Sequence, residues 1–461
     1  VEIYGKTITQ LKSLLDSGEV SPNELQNYFK KRAEQHNKAL NAYITMNTVD
    51  EYEDGGRLSG LPLAIKDNFC TTDLRTTAAS KVLDEFIPKY DSTVTTRLKK
   101  EGIQIIGKTN MDAWAHGSSG ETSAYGPSKN PWNLDYAPGG SSSGSATAVA
   151  SYLAPAAIGS ETAGSIRVPA SWSGLVGLAP TYGRVSRYGV AAMGSSLDSP
   201  GPLTLSVEDA ALLLEVIAGK DPFDATSVDI DVDEYTKTSK EDKKFTIGIP
   251  EEYFEGVQDS VKEKIEDAIK VMESMGHRVK KIKLLSPEYS ISVYTIIQRA
   301  EVSSNLARLH GVRYSKSRSE FGKEAKKRTM LGAYTLAHGY YDAYYKKALK
   351  VRTLIINDFK KAFEEVDIIA GPVAPMTAIK LGESEKYPFF GELMDKLNEP
   401  SAIAGLPAIS IPVGLDENEL PVGMQFIGNY FRESDILNAA SQYEQETDFM
   451  GVIKKGLDKW K

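Results

Sequence analysis

Three stretches of this chain hold residues that could do covalent chemistry together. Gly139–Ser145 reads GGSSSGS, Gly159–Ser171 reads GSETAGSIRVPAS, and Leu61–Asn68 reads LPLAIKDN. Ser165 comes 24 residues after Ser141, and a glycine immediately precedes each of them. Two loop-borne serines beside a helix N-terminus suggest a nucleophile and a relay for its proton, because a serine hydroxyl attacks well only when a base takes that proton. Thr162, Ala163 and Gly164, just before Ser165, are small enough for backbone N–H groups to converge on one point. An oxyanion hole has that form, with donors ~2.7–3.1 Å from the developing charge.

Each of these residues also has a plainer reading. Lys66 ends an apolar run, and burying its ammonium costs several kcal/mol unless its pKa falls. Either it snorkels or pairs with Asp67, or it stays neutral and accepts a proton where histidine usually does. Ser141, Ser142 and Ser143 precede a helix, so a hydroxyl can cap it, and Ser142 or Ser143 is assigned that task. Ser165 alone reads equally well as a buried serine bonded to backbone. Gly140–Gly144 matches the G-x-S-x-G elbow, but that motif needs a strand before it and an Asp and a His after it. The preceding NPWNLDYAPGG (Asn130–Gly140) carries two prolines, and His277, His310 and His338 stand in no recognisable loop context. Arg167 is expected to fix the loop by pairing with a carboxylate, and His116, beside Trp114, to be structural.

The two serine motifs sit in Pro138–Pro180, a Gly/Ala/Ser-rich stretch that resembles a linker in composition. A linker would not carry Val149, Tyr152, Leu153, Ile158, Ile166, Trp172, Leu175 and Val176, which need a core. Within it, Ser145–Leu153 has helical character. Thr9–Gly18 reads as a short amphipathic helix, and SPNEL (Ser21–Leu25) as the start of a second, with Ser21 as N-cap, Pro22 first and Glu24 closing a capping box. That second helix is expected to reach about Asn37, followed by a strand at Asn41–Met46 and an acidic turn at Asp50–Ser59. Leu61–Lys66 and Ile103–Ile106 read as strands around a helix at Asp91–Gly102, which implies an α/β layered fold. Asn110–Ser123 starts helical and breaks at Gly117. Helices are expected at Val207–Ala218, Asp259–Met275, Arg299–Gly311 and Lys323–Phe363. Strands are expected at Phe245–Ile249, Arg278–Leu284, Val366–Ala370, Ala408–Val413 and Val422–Ile427. The lysines of Arg278–Leu284 read as a guarded sheet edge, and Asp221–Lys244 as an exposed acidic connection.

Composition narrows the function. The 461 residues are 41% hydrophobic and 25% charged, as in a soluble globular protein, and carry a net charge of −8. A surface of that sign argues against direct nucleic-acid binding. A single cysteine, Cys70, excludes an intramolecular disulfide, and five scattered histidines make a zinc site unexpected. No apolar run approaches the ~18 residues of a membrane span. A cytoplasmic enzyme without metal or cofactor is the default.

On GGSSSGS, GSETAGSIRVPAS and LPLAIKDN the chain resembles the amidase signature family. The resemblance continues through PTYGRVSRYG (Pro180–Gly189), GYYDAYYKKALKVRTLI (Gly339–Ile355) and AGLPAISIPVG (Ala404–Gly414), so it covers nearly the whole chain. It implies one domain over 1–461 with a variable helical region around 285–365. It also implies a large mixed, twisted sheet flanked by helices on both faces. The activity it implies is hydrolysis of a carbonyl C–N bond by a Ser–Ser–Lys triad: Ser165 as nucleophile, Ser141 as bridge, Lys66 as base, and an oxyanion hole around Thr162, Ala163 and Gly164. The later segments are most similar to the A subunits of tRNA-dependent amidotransferases, which take ammonia from glutamine. That similarity implies that Arg328 and Asp395 bind the α-carboxylate and α-ammonium of a small amide substrate, and that a tRNA-binding partner protein exists. Against those A subunits, this chain has Glu161-Thr162-Ala163-Gly164 where an aspartate and two glycines are usual. It also has Val168 for glutamine, Ala179 for lysine, Ser199-Pro200 for Gln-Ile, and a shorter segment at Tyr314–Phe321. These departures keep open a free-standing amidase acting on amides, carbamates or esters.

Overall fold

A computed structural model describes residues 1–49, 52, 54–309, 316–387 and 389–461. Eleven strands form one mixed sheet. In chain order they are β1 (Tyr43–Met46), β2 (Pro62–Lys66), β3 (Gln104–Thr109), β4 (Ala156–Glu161), β5 (Val176–Ala179) and β6 (Ser199–Thr204). Then follow β7 (Thr246–Pro250), β8 (Arg278–Ile282), β9 (Ile368–Pro372), β10 (Ala408–Leu415) and β11 (Pro421–Gly428). Their order across the sheet is β1-β3-β2-β4-β6-β5-β10-β11-β9-β7-β8. β2 lies parallel to both β3 and β4, and β7 parallel to β8 and β9; the remaining pairs are antiparallel.

Every residue of β2, β3, β4, β5, β6, β9 and β11 is buried. A strand buried throughout has both faces covered, which requires helices on either side of the sheet. β4, β5 and β6 were not legible as strands, because AAIGSE, VGLA and SPGPLT are built from small residues and prolines rather than β-branched ones. Those small residues permit close packing: a Cβ on Gly201 of β6 would meet the Leu178 carbonyl oxygen of β5 at 2.0 Å.

Several local expectations hold. The helix Pro22–Leu40 begins with the Ser21/Glu24 capping box and ends at Asn41 in the left-handed region, three residues later than expected. The lysine-bearing β8 is an edge strand, at the end opposite β1. Others are corrected. Asn110–Ser123 holds no α-helix, only a single 3₁₀ turn at Ala113–Ala115, with Trp114 and Ala115 at φ of 60° and 61°. Asp221–Lys244 is not simply exposed. Asp221 and Asp224 are buried and pair with Ser186, Thr93 and Arg187, and Tyr235 is fully covered. The expected helix at Arg299–Gly311 is the second half of a longer one, Pro287–Ala307; Gly311 and His310 lie outside the described residues, as do Asp50, Glu51 and Glu53 of the acidic turn. Lys323–Phe363 divides into the helices Lys323–Thr335 and Lys346–Ala362, with a π-turn at Tyr341–Tyr345 before the second.

The helices Pro287–Ala307 and Lys323–Thr335 pack at Gly332, where a Cβ would stand 1.8 Å from the Arg299 carbonyl oxygen. Gly332→Ala improves helix propensity by roughly 1 kcal/mol but forces the two backbones apart. A net loss of about 1–3 kcal/mol is expected, seen as a lower urea midpoint at constant slope. A midpoint at or above that of the wild type would show that the helices separate freely.

Candidate active site

Lys66 is the last residue of β2, in register with Thr109 of β3. Its side chain is completely buried, and Nζ lies 2.9 Å from Ser141 Oγ, 2.9 Å from Ser142 Oγ, 2.9 Å from the Ser160 carbonyl oxygen and 3.1 Å from Ser160 Oγ. Among the described residues no carboxylate forms a salt bridge with it. The pairing with Asp67 is not formed: the Asp67 carboxylate accepts from the Thr77 hydroxyl, from the Thr77 amide at 3.0 Å and from the Ala79 amide at 3.4 Å. Burial pushes the Lys66 amine down to about 7, partly opposed by the more distant charges of Asp112, Asp198 and Glu161. A neutral amine has two N–H groups and one lone pair. The Ser160 carbonyl can only accept, the Ser142 hydroxyl donates to that same carbonyl at 3.2 Å, and Ser160 Oγ accepts from Asn68 at 2.9 Å. With the Ser142 proton committed elsewhere, the hydroxyls of Ser141 and Ser160 remain to donate to the lone pair.

The loop carrying Ser141 is held on both sides. The Gly140 amide donates to the Ser118 carbonyl at 2.9 Å, and the Asp112 amide to the Ser141 carbonyl at 3.2 Å. The Gly140–Ser141 peptide is cis. The helix Ser143–Ala150 follows, but capping is not what its serines do: Ser142 occupies the N-cap position without a side-chain cap bond, its hydroxyl being committed to Lys66 and Ser160. Ser143 Oγ lies against Ser128 Oγ at 3.4 Å.

Ser165 stands in the turn between β4 and the helix Arg167–Ser173. The Ser142 amide donates to its carbonyl at 3.1 Å, which ties the two serine loops together. The Ser165 hydroxyl forms no hydrogen bond with Ser141 among the described residues; in substrate-free sites such contacts are often long. The turn is clamped by Glu161, whose Oε2 accepts from the amides of Ile166 (3.1 Å) and Arg167 (3.3 Å) and whose Oε1 pairs with the Arg167 guanidinium at 2.8 Å. Arg167 also donates to the Ala163 carbonyl, Ser401 and Gln425 at 2.6, 3.0 and 2.6 Å. As expected, it fixes the loop rather than facing a substrate. The amides of Ala163, Gly164 and Ser165 donate to no group among the described residues, and the Ala163 methyl packs into the main apolar core.

A small cavity opens beside Ser165, walled by Ala115, Gly117, Ser118, Met193, Tyr294, Arg328, Gly391, Glu392 and Asp395. Arg328 and Asp395, which lie far from Ser165 in the sequence, thus reach the same space. Arg328 is buried, with Nε 2.7 Å from Glu324. Asp395 accepts from the Ser118 hydroxyl at 2.7 Å; its other oxygen is buried without a partner and would stand 2.5 Å from a Cβ on Gly164. Burial, with Glu161 and Glu392 nearby, pushes the Asp395 carboxyl up to about 8, against the lowering effect of the Ser118 bond. Glu392 pairs with Arg299, and Tyr294 shares a 2.7 Å hydrogen bond with Thr162. A cation at one place and an unsatisfied carboxyl at another suit a small zwitterion. His116 is buried with neither ring nitrogen bonded, and burial beside Arg328 and Arg299 keeps it neutral. Sequence reasoning did not single out Ser142, Ser160 or Asn68 around the amine, nor Ser118, Met193, Tyr294 and Glu392 around the cavity. Ser142, Asn68 and Ser160 lay inside motifs already noted, and Ser118 inside the segment Asn110–Ser123. Among the described residues no group of three His, Cys, Asp or Glu side chains could hold a metal ion, and no helix is long and apolar enough to cross a membrane.

A protein-family model described as Amidase matches residues 22–437. The chain is 49% identical to the A subunit of the glutamyl-tRNA(Gln) amidotransferase of Halothermothrix orenii, over 96% of its length and 98% of that protein's. It is 48% identical to the protein of the same name from Caldanaerobacter subterraneus, over 97% and 98% of the two chains. The crystal structure of the corresponding A subunit from Thermotoga maritima superimposes with a TM-score of 0.85 at 39% identity, covering 95% of each chain. A peptide amidase from Stenotrophomonas maltophilia gives 0.82 at 28% identity, covering 96% of this chain and 97% of its own.

The buried Glu161–Arg167 pair is the clamp on the Ser165 turn, and removing one partner leaves a buried charge unmatched. Arg167→Met should lower stability by about 3–5 kcal/mol in urea unfolding. Combining it with Glu161→Gln should recover part of that loss. A single variant as stable as the wild type would show that the turn does not depend on the pair.

Proposed function

The chain belongs to the amidase signature family, and on that premise we propose that it releases ammonia from the side-chain amide of glutamine through an acyl-enzyme on Ser165. The observation that carries this substrate is the convergence of Arg328, Asp395 and Ser165 on one cavity. A guanidinium there suits an α-carboxylate, and the unpartnered Asp395 oxygen suits an α-ammonium; both contacts would be charge-assisted hydrogen bonds. Binding the ammonium also favours the ionised form of Asp395, whose proton is otherwise retained at neutral pH.

In the proposed cycle Lys66, neutral, takes the Ser141 proton while Ser141 takes that of Ser165, and Ser165 Oγ bonds to the amide carbon. The oxyanion is held by the free backbone amides around Thr162, Ala163, Gly164 and Ser165. The proton returns from Lys66 through Ser141 to the departing nitrogen, which leaves as ammonia. Water then attacks the acyl-enzyme by the same relay and frees the carboxylic acid. Each full turn restores the starting protonation, so no external acid or base is consumed.

The names of the relatives support a role as the A subunit of a tRNA-dependent amidotransferase, with ammonia passed to a partner. The net charge of −8 fits a division of labour in which that partner, not this chain, holds the RNA. The role implies a cytoplasmic enzyme. A second reading, a free-standing hydrolase of other amides, carbamates or esters, draws on Val168, Ala179 and Ser199-Pro200, which differ from the usual A-subunit residues around the nucleophile.

The deciding assay is ammonia release from glutamine by the purified chain, alone and with a tRNA-binding partner, beside a panel of aryl amides and carbamates. Glutamine turnover that rises with the partner supports the amidotransferase role; aryl turnover with no glutamine activity supports the free-standing hydrolase. Ser165→Ala should cost several orders of magnitude in kcat, and a variant with wild-type turnover would remove the nucleophile assignment. The base works only as the neutral amine, so kcat should rise with pH through about 7 and be lost below it as Lys66 takes a proton. An acid limb centred near 4 instead would point to a carboxylate base. Arg328→Met should raise KM for glutamine by roughly 10- to 100-fold while aryl amide turnover stays within about threefold. Equal losses on both substrates would deny Arg328 a role in recognising the carboxylate.

A further inference from the structure

Asp112 lies outside the proposed triad, yet three parts of the site meet at it. It is fully buried, just ahead of the left-handed pair Trp114–Ala115. Its amide holds the Ser141 carbonyl at 3.2 Å. Its carboxylate accepts from the amides of Gly120 (2.9 Å) and Thr122 (3.0 Å) and from the Thr122 hydroxyl (2.9 Å). Those bonds fold the loop that presents Ala115, Gly117 and Ser118 to the cavity. The carboxylate is also wedged between two glycines. A Cβ on Gly140 would stand 2.0 Å from Oδ2 and one on Gly117 2.6 Å from Oδ1, so no larger residue fits at either place without displacing it.

We propose that Asp112 is a positioning residue: its amide seats Ser141, its carboxylate folds the cavity wall, and its negative charge acts on the catalytic lysine. The inference rests on the triad reading. Three donors aimed at one carboxylate favour its ionised form, opposing the burial that pushes its pKa up. Among the carboxylates that act on Lys66, Asp112 has the largest effect, ahead of Asp198 and of Glu161, whose charge is matched by Arg167. The nearby Asp67 is turned instead toward Thr77, Ala79 and Lys108. Removing the Asp112 charge should therefore make Lys66 harder to protonate and a weaker base.

The test is the pH dependence of turnover, together with that of Ser165 labelling by a fluorophosphonate, in the full chain carrying Asp112→Asn or Thr122→Val. Asp112→Asn should move the acid limb to lower pH by roughly half to one unit and lower the plateau by about threefold to tenfold. Thr122→Val keeps the charge, so its limb should stay within about 0.2 unit of the wild type while its plateau falls about twofold to fivefold. A limb unmoved in Asp112→Asn overturns the proposal, because a merely structural residue would lower the plateau alone. Should Asp112→Asn not accumulate as folded protein, Thr122→Val decides: a plateau indistinguishable from the wild type overturns the clamp. Wild-type labelling that survives Ser165→Ala would instead remove the triad reading on which the inference stands.

Discussion

An amine buried with no carboxylate in salt-bridge contact among the described residues is the constraint around which this protein is arranged. A charged ammonium in that position would carry a desolvation penalty that hydroxyls and one carbonyl do not offset. The neutral form is therefore favoured, and three serines with a backbone carbonyl are enough to satisfy it. Depth lowers the amine's pKa and so keeps available the neutral form that the proposed chemistry uses. The negative charges of Asp112, Asp198 and Glu161 act from farther away and keep the amine from falling beyond use near neutral pH.

A similar trade shapes the nucleophile turn. Ala163, Gly164 and Ser165 leave their amides free, which is costly in a buried loop unless something else holds the backbone. Glu161 and Arg167 do so from below, through the amides that start the next helix and through the Ala163 carbonyl. Arg167 extends that hold to Ser401 and Gln425, on segments more than two hundred residues away. Rigidity at the turn thus comes in part from β11 and the helix Glu399–Ala404, and the free donors belong to a frame that they do not themselves stabilise.

The cavity has a different origin. Its chemistry-bearing walls come from the loop after β3, the helix Pro287–Ala307, the helix Lys323–Thr335 and the short helix Phe390–Asp395. Packing of helix on helix at Gly332 sets how near the helix bearing Arg328 stands to the one bearing Arg299 and Tyr294. The surroundings of the amine are built on the sheet and much of the cavity wall on helices laid over it, with the Asp112 loop joining the two.

The sequence by itself determined the α/β class, the capped N-terminal helix, the edge strand β8 and the three motifs that hold Lys66, Ser141 and Ser165. It could do so because periodicity, caps and short motifs are local. It misled where one residue type serves two purposes: Ser142 reads as a cap and bonds the lysine instead. It was silent on β4, β5 and β6, whose small residues are chosen for close approach rather than for strand propensity. Only the tertiary structure decided that Lys66 has no carboxylate partner among the described residues, that Asp112 braces the Ser141 loop, and that Arg328, Tyr294 and Asp395 share a cavity with Ser165. Those facts depend on contacts between segments far apart in the chain, and no local pattern encodes which distant surface a side chain will meet.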